Sequence, residues 1–180
     1  MSKFFTSRKI FDNVTQIGGL GGELCYLIEG SEKALLIDGL TGVGSLKAFV
    51  RECTDLPVTL VLTHGHMDHA GASFEYGECY VNPAEAIAVP GHTVGTMVYL
   101  DRARRVLYSG DACNANTLLG LPCSTTVETY AKSLDHLATY LKGIDKFYGG
   151  HGLQAVPAYI VDEALILCEE ILSDDDDRFE

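Results

Sequence analysis

Hydrophobic positions along this chain fall first into short runs and only later at helical spacing. Val14–Ile17, Leu24–Ile28 and Ala34–Ile37 are such runs, and the glycine-rich stretch 18–22 and the polar stretch 29–32 separate them. Short apolar-rich runs punctuated by glycine read as antiparallel strands joined by tight turns. Asp38-Gly39 closes the third. From Gly44 to Cys53, Leu46, Phe49 and Val50 recur at helical spacing and predict an amphipathic helix. The run Val58–Leu62 predicts a buried strand. Beyond it the pattern predicts strands at Cys79–Val81 and Ile87–Val89, with a proline-initiated helical turn at Pro83 between them.

A hairpin is predicted from Thr96–Leu100 and Arg105–Ser109 around the polar stretch 101–104. Val127, Tyr130, Leu134, Leu137 and Leu141 define one face of a helix over 126–142. Lys146–Tyr148 reads as a short strand ending at Gly149-Gly150. A last helix is predicted to start at Pro157, a residue suited to the first helical position. Strands come first, helices punctuate them, and no segment repeats. This order suggests two β-layers flanked by helices.

At 180 residues the chain is expected to form one domain over 1–173, followed by an acidic tail at 174–180. The net charge is −12, four of those charges belong to Asp174–Asp177, and the rest of the chain still carries −8. A body of that sign is a poor match for a phosphate backbone, so no nucleic-acid partner is expected. No apolar run approaches the roughly 20 residues needed to span a bilayer. The basic N-terminus lacks the apolar core and cleavage site of a secretion signal, so the expected location is cytoplasmic, with no membrane partner. The six cysteines form no C-x-x-C pair, and four lie in apolar stretches. They are expected to be reduced and mostly buried.

The chemistry is concentrated at the ends of the predicted strands. Within six residues, His64, His66, Asp68 and His69 follow the Val58–Leu62 run. Neutral imidazole nitrogen and carboxylate oxygen are donors that a borderline divalent cation such as zinc prefers. Three more signals share this setting. His92 follows Ile87–Val89 and a proline, Asp111 follows Val106–Tyr108, and His151 follows Lys146–Tyr148, each beside glycine. Glycine there would let backbone crowd close to an ion. His136 falls outside the pattern, in mid-helix, and reads as a surface residue. Cys113 reads as buried filler rather than a ligand. Tyr76, Tyr80, Tyr99 and Tyr108 are candidates to line a pocket that the sequence does not separate from core.

Taken in order, Thr63-His-Gly-His-Met-Asp-His69, Pro90-Gly-His-Thr93, Ser109-Gly-Asp111 and Gly149-Gly-His-Gly152 resemble the motifs of the metallo-β-lactamase fold superfamily. Asp38 matches that superfamily's first, non-ligand motif. The resemblance covers roughly residues 14–172 and implies an α/β fold, the four-layer αββα sandwich of the metallo-β-lactamase type. It implies that His64, His66 and His92 hold a first metal, that Asp68, His69 and His151 hold a second, and that Asp111 bridges both. Asp38 and Thr63 would support the ligand imidazoles. Two divalent ions are implied, zinc in the first place, with iron or manganese as alternatives. They would sit about 3.5–4 Å apart and generate a bridging hydroxide, with Asp68 orienting it and moving its proton.

Aspartate rather than cysteine at 111 aligns the chain with the glyoxalase II, ribonuclease Z and lactonase branches. The implied activity is a small stand-alone hydrolase acting on an ester, thioester, lactone or phosphodiester of a small molecule. Only 22 residues, 70–91, separate His69 from His92, a stretch that is longer in the family, and the chain stops soon after its last helix. The fold is therefore expected to be pruned of some strands, with edges that a homodimer or tight turns would cover. A runner-up reading is a metal-binding scaffold or regulatory protein of the same fold with little turnover. A third is an iron-dependent oxygenase-like or redox enzyme.

Overall fold

The computed structural model describes residues 2–77 and 86–173. The predicted strand at Cys79–Val81, with Tyr80, the helical turn at Pro83 and the acidic tail 174–180 lie outside the described residues. The chain divides into two units, Met1–Asn82 with Gly150–Leu153, and Pro83–Gly149 with Gln154–Glu180.

In the first unit, β1 (Thr6–Phe11), β2 (Val14–Gly18), β3 (Leu24–Glu29), β4 (Ala34–Ile37) and β5 (Val58–Val61) form one sheet in chain order. The first four strands pair antiparallel, while β5 runs parallel to β4 with Ile37 opposite Val61. The parallel pair needs a crossover, and helix α1 (Leu46–Cys53) supplies it. Ser45 caps that helix by accepting from the Ala48 amide, and the Glu75 carboxylate accepts from Ser45 Oγ at 2.6 Å and the Leu46 amide at 3.0 Å. Leu46 and Val50 pack on Ile17, Leu27, Leu36 and Leu60 to make this unit's core.

Strand β1 was not expected, and its sequence explains why. Thr6, Ser7, Arg8 and Lys9 are all exposed, so this edge strand carries no apolar alternation to read. Charged side chains on an edge also discourage pairing with another chain.

In the second unit the sheet order is β10-β9-β8-β7-β6, from β6 (Ala86–Ala88), β7 (Met97–Asp101), β8 (Val106–Gly110), β9 (Lys146–Gly149) and β10 (Val156–Pro157). Here too one pair is parallel, β8 with β9, and helix α3 (Val127–Ala138) lies between those strands in sequence. Each sheet thus repeats one device, a parallel pair joined by a helix with an aspartate directly after its first strand: Asp38 after β4 and Asp111 after β8. The sequence shows no repeat, because the two copies share topology and not residues. Tyr130, Leu134 and Leu137 of α3, with Val161 and Cys168 of α4 (Ile160–Leu172), cover Val98, Leu107 and Phe147.

Two helix boundaries differ from the prediction by three residues or more. Helix α3 ends at Ala138, not at Lys142, because the amides of Tyr140 and Leu141 bond three residues back, to Leu137 and Ala138. The tightened turn carries the apolar pattern past the α-helix end. Pro157 does not start the last helix. It sits in the edge strand β10 opposite Lys146, where its missing N–H costs nothing, and α4 starts at Ile160. Among the described residues no helix is long and apolar enough to cross a membrane. The described cysteines are all free thiols, with Cys25, Cys113 and Cys168 buried and Cys123 exposed.

Candidate metal centre

Strand β5 ends at Val61, and the chain then passes through Thr63, His64 and His66 into a single helical turn, α2 (Met67–Ala70). Because β4 and β5 run parallel in register, their ends lie side by side. The Asp38 carboxylate therefore meets Thr63, accepting from its amide at 2.7 Å and from its hydroxyl at 2.8 Å. The same carboxylate accepts from His69 Nδ1 at 2.9 Å, and both partners are buried. Asp38 holds φ at +68°, in the left-handed region that aspartate tolerates better than most residues.

These bonds settle the imidazole tautomers. A carboxylate only accepts, so His69 Nδ1 carries the proton and its Nε2 is the lone-pair nitrogen. The Thr63 hydroxyl spends its one proton on Asp38 and so accepts from His64 Nδ1 at 3.0 Å. His64 likewise keeps Nε2 as its lone-pair nitrogen, 3.1 Å from His66 Nδ1.

His151, 82 positions beyond His69, joins this cluster within the same unit. The Leu24 amide donates to the Gly150 carbonyl at 2.8 Å, and Glu23 and His151 pair as an antiparallel bridge. His151 Nε2 then lies 3.4 Å from His69 Nε2 and 3.3 Å from Asp68 Oδ2, while His69 Nε2 and Asp68 Oδ2 are 3.7 Å apart. Ligands at about 2.0–2.1 Å in a tetrahedron stand about 3.4 Å from one another. Two imidazole nitrogens and a carboxylate oxygen at these separations fit a divalent cation, and this trio can hold one.

The second unit carries the other two candidate ligands. His92 is buried, and its Nδ1 donates to the Leu118 carbonyl at 2.8 Å, which again leaves Nε2 as the lone-pair nitrogen. That nitrogen lies 3.6 Å from Asp111 Oδ2. Asp111 leaves β8 through Gly110, whose φ of +50° accompanies a register shift against β9. The chain after Asp111 is tied to α3, where the Tyr130 hydroxyl donates to the Ala112 carbonyl at 2.8 Å.

Several supporting residues carried no sequence signal. Leu118 acts through its backbone carbonyl, which any residue would supply. Tyr130 reads from the sequence only as a helix-face aromatic, yet its ring also explains Gly91. A Cβ on Gly91 would lie 2.2 Å from the Tyr130 ring, so this glycine answers to ring packing rather than to the close approach of an ion. Glu23 is buried, with Oε1 accepting from the Thr41 hydroxyl at 3.0 Å, and its backbone holds His151 in place. Cys113 is fully buried, and burial pushes its thiol up to about 12, so it is a neutral filler rather than a thiolate. His136 is exposed on α3. Tyr99 and Tyr108 are core residues, and Tyr76 lines a cavity of about 200 Å³ beside Lys47, Arg51 and Pro57.

Residues 18–83 match the family model described as the metallo-beta-lactamase superfamily. A curated relative, the alkyl/aryl-sulfatase BDS1 of Saccharomyces cerevisiae, is 41% identical over 68 residues, covering 35% of this chain and 10% of that protein. The chain thus spans about a tenth of the length of the curated relative it matches. Among solved structures, VMB-1 superposes with a TM-score of 0.78 at 14% identity, over 96% of this chain and 100% of that one. The metallo-beta-lactamase FIM-1 from Pseudomonas aeruginosa, in a mono-zinc form, gives 0.76 at 14% identity over 93% and 96%. A metallo-beta-lactamase from Pontibacter korlensis gives 0.74 at 14% identity over 92% and 99%. At such identities the likeness is one of fold, and the fold is the α/β sandwich of the metallo-β-lactamase type.

Proposed function

We propose that this chain, whose residues 18–83 match the metallo-beta-lactamase superfamily, is a metal-dependent hydrolase of a small substrate. His64, His66 and His92 would hold one divalent ion, zinc in the first place. Asp68, His69 and His151 would hold a second, with Asp111 shared by both. The observation that carries this reading is the trio of Asp68, His69 and His151, whose donor atoms stand at the mutual separations of ligands around one small cation.

When bound, such ions supply a Lewis acid and lower the pKa of a bound water toward neutrality. The protein's own contribution is orientation and proton handling. Asp38 holds His69 with Nε2 presented, Thr63 does so for His64, and the Leu118 carbonyl does so for His92. Such supporting bonds fix the ring plane and raise the basicity of the ligating nitrogen. Asp68 is half-exposed, with Oδ2 3.3 Å from His151 Nε2. The Asp68 carboxylate would take up the proton of an attacking water and hand it to the leaving group. Burial of His69, His92 and Asp111 keeps water from competing for the ligand atoms.

The bond cleaved is an ester, thioester, lactone or phosphodiester. Sulfate esters join the panel because the yeast relative is named an alkyl/aryl-sulfatase. Metal analysis after reconstitution tests the centre, with about two equivalents of zinc per chain expected. Loss of metal on His66→Ala or Asp111→Ala would support the ligand set. Less than about half an equivalent of any metal would sink it. Turnover of a panel of nitrophenyl esters, phosphodiesters, lactones, thioesters and aryl sulfates by the metal-loaded protein then tests catalysis. A fully loaded protein inert on every one of them would be a metal-binding scaffold instead.

A further inference from the structure

Glu23 is only 1% exposed, and its Oε2 has no hydrogen-bond partner among the described residues. Its Oε1 accepts from the Thr41 hydroxyl at 3.0 Å. The glycine-rich turn before β3 closes around this carboxyl group. A Cβ on Gly19 would lie 2.1 Å from Oε1, and one on Gly21 would lie 2.8 Å from Oε2. A carboxyl group removed from water with one oxygen unmatched lowers stability, and an apolar side chain would fill the space without that penalty. What the carboxyl group adds at this place is its bond to Thr41.

The two ends of that bond lead to different parts of the candidate centre. On the Glu23 side, the backbone forms the bridge with His151, and the next amide, of Leu24, donates to the Gly150 carbonyl at 2.8 Å. On the Thr41 side, the preceding turn is laced to α2 and the residues after it. The Gly39 amide donates to the His69 carbonyl at 2.6 Å, and the amides of Gly71 and Ala72 donate back to the carbonyls of Leu40 and Gly39 at 2.8 and 3.1 Å. Gly71 leaves no slack beside Thr41, since a Cβ there would stand 2.2 Å from the Thr41 carbonyl carbon. One side-chain hydrogen bond thus joins the segment that carries His151 to the segment that carries Asp68 and His69. The side chains of His151 and Asp68 are 41% and 40% exposed, so packing does little to fix their separation.

We infer that Glu23 is a positioning residue, which through the Thr41 hydroxyl holds the His151 segment at a set distance from Asp68 and His69. The consequence is control of how tightly that trio takes a divalent cation, and in this the inference rests on the metal-centre reading above. Metal–ligand distances hold within about 0.2 Å, so a small drift of the His151 segment is enough to weaken the site. Glu23 acts through these two segments and need not touch the ion itself.

The test titrates zinc into the full chain while two-dimensional NMR of the histidine rings follows His69 and His151 separately from His64 and His66. Glu23→Ala removes the acceptor and Thr41→Val removes the donor. Each is expected to weaken zinc binding at His69 and His151 about tenfold, and at His64 and His66 less than about twofold. The double variant should bind no worse than either single one, because both changes remove the same bond. Glu23→Gln keeps a carbonyl acceptor for Thr41 and should hold affinity within about threefold of the parent. Amide exchange in the metal-free chain gives a second readout. Leu24 should exchange about tenfold faster in Glu23→Ala and Thr41→Val, while Leu27 in mid-β3 keeps its rate. Equal weakening at both sets of histidines, or a double variant whose loss is the product of the single losses, overturns the inference. A parent that takes up no zinc, with Leu24 exchange still quickened in the variants, sinks the metal centre alone. A parent that loads zinc, with Leu24 exchange and His151 affinity unchanged in the variants, sinks this inference alone. Unchanged exchange in a chain that takes up no zinc sinks both.

Discussion

Asp38 Oδ2 lies 2.9 Å from His69 Nδ1, and both groups are almost fully buried. One carboxylate thereby fixes the His69 imidazole directly and, through the Thr63 hydroxyl, that of His64. Asp38→Asn keeps the shape, but its amide can turn an N–H toward His69 or Thr63, where only an acceptor fits. We expect zinc affinity to fall about 10- to 100-fold, as for other groups that support a ligand. A competitive chelator titration reads this, and an unchanged affinity would show that Asp38 only fills the turn.

Gly71 packs its Cα against the loop after β4. A Cβ there would stand 2.2 Å from the Thr41 carbonyl carbon and 2.7 Å from the Gly42 nitrogen, and neither backbone atom can swing aside. Gly71→Ala should therefore destabilise the protein by about 1–3 kcal/mol. Gly65, inside the histidine cluster, has nothing within 4 Å of its would-be Cβ. Gly65→Ala is expected to stay within about 0.5 kcal/mol of the parent. Urea midpoints of the two variants, compared side by side, check the contrast.

Tyr130 Oη donates to the buried Ala112 carbonyl, one residue after Asp111. Tyr130→Phe keeps the ring against Gly91 and removes only the donor. Leaving that carbonyl unsatisfied should cost about 1–3 kcal/mol in chemical denaturation. A change under about 0.3 kcal/mol would mean that water replaces the hydroxyl.

Cys113 makes stability fall at alkaline pH. Burial raises its folded pKa to about 12, above the ordinary thiol value of 9.0. Between those values the folded chain holds a proton that the unfolded chain has released, so stability is full below about pH 9 and declines as pH rises toward 12. Cys113→Ala removes this term. The urea-midpoint gap between parent and variant should therefore narrow from pH 8 to pH 10.5. A gap that stays constant would show that the thiol does not titrate across the transition. Thiol-reactive reagents at pH 8 should label exposed Cys123 well before Cys25, Cys113 or Cys168.

Much of the fold was legible because its strands are short, apolar and bounded by glycine. Runs such as Leu24–Ile28 and Ala34–Ile37 fell almost residue for residue on β3 and β4. Where tertiary context ruled, reading failed. Edge strand β1 buries too little to leave an alternation. Pro157 suits both a helix start and an edge strand, and only its partner Lys146 decides between them.

The candidate centre divides along the same line. Donor chemistry is local, so His64, His66, Asp68, His69, His92, Asp111 and His151 stand out as candidate donors after strands from the chain alone. Which atoms meet is not local. The parallel register of β4 and β5 brings Asp38 to Thr63 and His69, and the bridge of Glu23 with His151 carries a histidine back across 82 positions to Asp68 and His69. Backbone pairing sets those approaches, and one-dimensional spacing holds no record of it. The same holds for the exposure of Met67 and Leu153, since an apolar letter reads as core until the fold leaves it facing water.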